Sequence, residues 1–201
     1  MAITSSRLSR ALAVAFLALL GALVVPVSAS ATVEKFHRFE AVATANYTIT
    51  EACPDGSTAE TLVSVFGGHE EESENGETTL DSDFLTLLIR SSDCEGNFFV
   101  DRGTGPAEFT FSPSLQGAAV TGTIVTRDGR TVAVDMTWEG TGPIEVTSNT
   151  TQFPGFTGHF TGKEREAVAT GTVVVDGVTL VDGATTNADI ETLEDKNISR
   201  E

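Results

Sequence analysis

The chain has 201 residues, 40% of them hydrophobic, and 29 acidic against 12 basic side chains give it a net charge of −17. So large an acidic surplus excludes binding to nucleic acid or anionic lipid through the protein's overall field. With only two cysteines and no histidine beside either, the sequence offers no thiol-based metal or catalytic set and calls for no cofactor.

The first thirty-one residues read as a signal peptide: Arg7 and Arg10, an unbroken apolar run from Ala11 to Val25, Pro26, then small residues. Ala29-Ser30-Ala31 fits signal peptidase, which sets residues 1–31 apart from a single domain over 32–201; Val27-Ser28-Ala29 is the other candidate. Fifteen helical residues reach about 22 Å, short of the roughly 30 Å hydrocarbon core, so a retained anchor is disfavoured and no later stretch could span a membrane. Without Arg7 and Arg10 the exported part holds ten basic and twenty-nine acidic residues, a net −19. The expected location is extracellular or at the cell surface. There Cys53 and Cys94, an even count in an oxidising compartment, are expected to form one disulfide.

Dense in Thr, Val, Gly and Phe and lacking a sustained 3.6-residue period, the remainder reads as all-β. Strands are expected near Phe39–Thr50, Thr61–Phe66, Phe84–Arg90, Phe98–Asp101 and Glu108–Phe111. Asp128-Gly129 then signals a type I′ hairpin joining 117–126 to 131–140. In the second of these strands Val132, Val134, Met136 and Trp138 alternate with Ala133, Asp135, Thr137 and Glu139, which marks Trp138 as core. Asp176-Gly177 signals another hairpin, from Ala167–Val175 to Val178–Val181; the tail 189–196 fits strand or a short helix equally. Short strands at this spacing give an antiparallel sandwich or barrel of about ten strands.

The Cys pair, the strand end Met136-Thr137-Trp138-Glu139-Gly140-Thr141-Gly142-Pro143 and the later Ala169-Thr170-Gly171-Thr172 resemble a loose group of secreted, β-rich bacterial proteins of uncharacterised function. The resemblance implies export and a β fold and no activity.

No residues present themselves as catalytic, cofactor-binding or metal-binding. His69-Glu70-Glu71-Glu72-Ser73 lacks the second histidine and the helix of a zinc-protease motif, and no Gly-x-Ser-x-Gly elbow occurs. His37, His69 and His159 are dispersed in sequence and read as surface or loop residues. Asp135 and Glu139 share a strand face but stand about 13 Å apart, beyond the separation of a glycosidase pair. Glu70 to Glu77, with Asp81 and Asp83, reads as a solvated hairpin tip standing off the body around Asn75-Gly76, with no specific calcium site. Phe153, Phe156 and Phe160 are expected to pack under a neighbouring loop. The expected function is a non-enzymatic exported module that binds an unidentified extracellular ligand or surface through loops on a rigid scaffold. The alternatives are an extracellular hydrolase with a dispersed site and an inert coat protein. Intact mass of protein from culture medium checks the processing: the chain is expected to begin at Thr32.

Overall fold

The alternation in 131–140 is realised along the whole strand: Val132, Val134, Met136 and Trp138 are buried while the residues between them face water. The structure, a computed structural model, describes residues 33–200, with Arg200 described by its backbone alone. The segment read as a signal peptide, with both cleavage candidates, lies outside the described residues.

Ten antiparallel strands make one sheet: β1 (Val33–Ala52), β2 (Thr58–Glu74), β3 (Glu77–Ser92), β4 (Phe98–Pro106), β5 (Glu108–Phe111), β6 (Gly117–Val125), β7 (Thr131–Gly140), β8 (Glu145–Phe153), β9 (Phe156–Val175) and β10 (Val178–Arg200). They run in the order β4-β3-β2-β1-β10-β9-β7-β6-β5, so the first and last strands of the described chain are central neighbours. β9 is long enough to serve two partners on one side, β7 along 167–175 and β8 along 156–164. The fold is therefore all-β with ten strands, as the sequence suggests. In place of a two-sheet sandwich or a closed barrel, one sheet curls until its ends face each other.

The curl makes the core. Ala41, Ala43, Ala45, Val63, Val65, Leu85 and Leu87 from one half meet Val120, Val132, Met136, Trp138 and Val173 from the other, all of them buried. Small residues permit the approach: a Cβ on Gly67 would sit 2.7 Å from the Val120 Cβ. The Trp138 indole N–H donates to the Thr44 carbonyl across the interior at 2.7 Å, so its one polar atom is satisfied. The seam is fixed at β4. The buried Asp101 carboxylate accepts from Arg130 Nε at 2.8 Å and Nη2 at 2.6 Å and from the amides of Arg102 and Asp128, while the Arg127 amide donates to the Arg102 carbonyl.

Cys53, in the β1–β2 turn, is bonded to Cys94, in the β3–β4 turn, with Cα atoms 5.5 Å apart. The pairing matches the sequence expectation. By the chain-entropy argument, a loop of this size contributes about 4 kcal/mol.

Three expectations are corrected. Asp128-Gly129 is not a type I′ turn: Gly129 alone has positive φ, and a three-residue loop closes through Gly129 N–H to the Thr126 carbonyl. That geometry aims the Asp128 amide at Asp101. Asn75-Gly76 and Asp176-Gly177 have positive φ at both residues, as type I′ requires. The acidic stretch is not a detached tip, because β2 runs to Glu74 in register with β1, Glu70 facing Glu40 and Glu72 facing Arg38. The guanidinium of Arg38 offsets the crowding, bonding Glu70 and lying 3.7 Å from Glu72 and 3.6 Å from Glu40. The segment 145–153, with no apolar alternation, escaped the sequence reading as a strand; it is held by its ladder to β9. The tail over 189–196 is strand, part of β10.

Burial raises the Asp101 pKa, but the bonds from Thr126, Arg130 and the Asp128 amide outweigh it and leave the carboxyl below its ordinary value. Its stabilisation is therefore full above the ordinary carboxylate pKa and is lost as pH falls through the depressed one. Arg130 is half in solvent, so Asp101→Asn is expected to cost about 3 kcal/mol near pH 7, the low end for breaking a buried pair. In urea unfolding the gap to wild type should narrow steadily as pH is lowered from about 5 to about 2.

Candidate functional site

Strand pairing collects what the sequence scatters. Directly opposed residues share a face, and the residues opposite buried Ala41 and Ala43 define the core face. At the end of the sheet beyond the core, β8, β9, β10 and the start of β1 continue as a single layer whose core-side face carries a cross-strand row, Thr150, His159, Lys196 and His37, at steps of about 4.8 Å. Lys35 lies one step along β1 from His37, and Lys163 lies on β9 in the row of Ala41 and Thr192. His69, opposite Ala41 on β2, belongs to the same face. All three lysines and all three histidines of the chain thus share one side of the sheet.

The other side is richer in carboxylates. It presents Glu34, Glu72, Glu74, Glu145, Glu166 and Asp195, with Arg38 among them. On the core-side face of this extension, over β8, β9, β10 and the start of β1, the carboxylate among the described residues is Glu194, set against Lys35, Lys163, Lys196 and Arg165, while Glu71 of β2 and Asp81 and Asp83 of β3 lie on the same side of the sheet around His69. Glu194 joins the row together, accepting from Lys196 Nζ at 2.7 Å and lying 3.1 Å from His37 Nε2. His159 lies between two hydroxyls, Thr150 at 3.0 Å and Thr161 at 3.3 Å. Arg165 packs over Gly140 with its Nε buried and without a hydrogen-bond partner.

His69 and Asp83 form a pair, Nδ1 to Oδ1 at 2.8 Å, with the imidazole leaning on Phe39 and the other Asp83 oxygen accepting from the Phe109 amide. Such a pair could orient a base, but no hydroxyl is bonded to His69 among the described residues. Asp135 and Glu139 face water on β7 with Thr172 and Val168 opposite them on β9, so no carboxylate completes a pair across the ladder. No group of three His, Cys, Asp or Glu is arranged to hold a metal among the described residues. Phe153 corrects the expectation of burial: it is 64% exposed at the β8–β9 turn and leans towards Phe156, 6.4 Å away between ring centroids.

No protein-family model and no curated protein matches the chain. Among solved structures, a crystal structure of a Nitrosomonas europaea protein provisionally named AttH matches at 12% identity and a TM-score of 0.21, over 84% of this chain and 52% of that one. This chain spans about half of that protein's length. A score so low carries no argument about either fold or function. Among the described residues no helix is long and apolar enough to cross a membrane, and the disulfide is compatible with an extracellular protein.

The three histidines were legible as residues and not as a group, because β1, β2 and β9 bring them together only through long-range pairing. Alternation around Lys35-His37-Phe39 and His159-Thr161-Lys163 was the available signal, and it needed the register to be read. The Glu194 carboxyl is held below its usual range by the Lys196 hydrogen bond and, against the cost of burial, by that of His37. A carbon-detected NMR titration is expected to find it low, and Lys196→Gln should move it upward.

Proposed function

We propose that the protein is an exported, non-enzymatic binding module whose ligand is an acidic polysaccharide, received on the core-side face of β8, β9, β10 and β1. The observation that carries this reading is the gathering of all three lysines of a strongly acidic chain, with His37 and His159, on one open face. It replaces recognition by loops with recognition by a sheet surface.

Neutral sugars are commonly held by stacking on Trp or Tyr, and here Trp138 and Tyr47 are both buried in the core. What the face offers instead is ammonium groups, imidazoles and the hydroxyl or amide side chains of Ser148, Thr150, Gln152, Thr157 and Thr161. These suit a ligand bearing both hydroxyls and carboxylates. At physiological salt charges are felt over about 8 Å, so a bound chain senses the local lysines more than the acidic groups on the far side of the sheet. A flat surface several strands wide suits an extended polymer rather than a small molecule.

Retention on immobilised polygalacturonate, with neutral dextran as control, tests the reading. The wild type is expected to bind polygalacturonate selectively and to elute as salt rises from about 0.05 to about 0.5 M. Lys35→Gln, Lys163→Gln, Lys196→Gln together should weaken binding roughly tenfold or more, since each lost charge-assisted contact is worth on the order of 1 kcal/mol. Equal binding to both polymers, or a triple variant that binds like wild type, would overturn it.

A further inference from the structure

Among the described residues, β8 presents a nine-residue outer edge that is left open without protection. Exposed edges invite pairing with another chain, and proteins blunt them with charges, prolines, bulges, short strands or covering segments. Other edges of this sheet have such a device. β4 is tied to the β6–β7 loop by the Arg127–Arg102 backbone bond, and β5 has only four residues. The part of β3 that extends past β4 carries Glu77, Asp81 and Asp83. β8 has none: its nine residues, EVTSNTTQF, are all exposed, pair in unbroken register with β9 on one side only, and include one charge, Glu145.

We propose that β8 is a self-association edge, paired antiparallel with β8 of a second copy around a two-fold axis at Asn149. The choice of a second copy follows from self-complementarity. In that register Val146 faces Gln152, Thr147 faces Thr151, Ser148 faces Thr150, and Glu145 faces Phe153, so every residue is matched and no like charges meet. A chain this acidic has few other places where two copies could touch without repulsion.

Symmetry fixes the outcome. A two-fold antiparallel pair must run through a residue facing its own copy, and opposed residues share a face, so the core-side faces of both copies lie on the same side. The row that ends at Thr150 then meets the partner's Ser148, whose own row runs on through the partner's Thr161 and the partner's Glu194. Two charged faces become one surface twice as wide, on which a polymer binds both copies at once. A single strand pair buries less than a standard interface, so the dimer is weak and strengthened by a polymeric ligand. The pairing itself does not depend on the polysaccharide reading, and it is tested without any polymer.

Sedimentation equilibrium of the protein from culture medium, over a wide concentration range, is expected to show reversible dimerisation that tightens with salt. Thr147→Lys, Thr151→Lys sets two lysine pairs across the axis and should weaken the dimer roughly tenfold. Thr147→Glu, Thr151→Glu should do the same, and an equimolar mixture of the two variants should restore association. Both sites are exposed and outside the core, which leaves folding intact. Independently, Asn149→Cys should form an intermolecular disulfide readily, since a residue facing its own copy has Cα atoms about 4.5–5.5 Å apart; Ser148→Cys, out of register with itself, should not. A protein that stays monomeric at millimolar concentration, or a dimer indifferent to these charges, overturns the proposal.

Discussion

The carboxylate of Asp101 stands where the two ends of the sheet meet. A lone sheet has no interior, and this one acquires an interior only by bending until β4 reaches the β6–β7 loop. Nearly every buried side chain depends on that approach, from Ala41 and Val65 on one half to Val120 and Trp138 on the other. Backbone and side-chain donors converge on Asp101 from both sides of the seam. A buried carboxylate is tolerable only when its acceptors are filled, and here filling them is the act of closing the curl. Glycine at 67 and 103 lets the facing backbones come near enough for this, since a Cβ on Gly103 would lie 3.0 Å from the Thr126 Cα.

Closure at one end leaves the other end open. The strands that reach beyond the curl, β1, β8, β9 and β10, have water rather than a second layer over their core-side lysines. Freed from burying apolar side chains on either face, this extension sorts most of its charges by side, its lysines on one and most of its carboxylates on the other. The sorting follows the two-residue period of a strand, so it is cheap to encode and invisible without the register. The same freedom explains why β8 carries no apolar alternation. It contributes to the sheet through backbone bonds, and its side chains are left for other uses.

Much of the fold was legible in the sequence. The alternation of 131–140, the Val-rich 167–175 and the Gly-containing turns mark strands through local chemistry, and the even cysteine count marks the disulfide. Strand ends were misplaced where apolar patterning stops although the ladder continues, as at Glu70–Glu74 and in β8. There, stability comes from neighbouring strands, and nothing local announces them. The turn at Asp128-Gly129 differs from its usual form because the loop is shaped by Asp101, twenty-seven residues away. Of the candidate site little was legible: His37, His69 and His159 lie 32 and 90 residues apart in succession, and only pairing through β1, β2, β9 and β10 brings them to one face.

The position of β1 against β10 governs the order in which the molecule can come into being. Val33 faces Arg200 and Ala45 faces Ala188, so the middle of the sheet joins segments more than a hundred residues apart. Contacts of such long sequence separation form slowly, because the chain between them must first be confined. A nascent polypeptide holds β1 with one of its two flanking ladders missing, and no amino-terminal fragment can supply the other. Assembly must therefore wait for the last strand. Loss of even the final dozen residues would empty the centre of the sheet rather than trim its margin, and the interval before β10 arrives is when the chain most needs protection from aggregation and proteolysis.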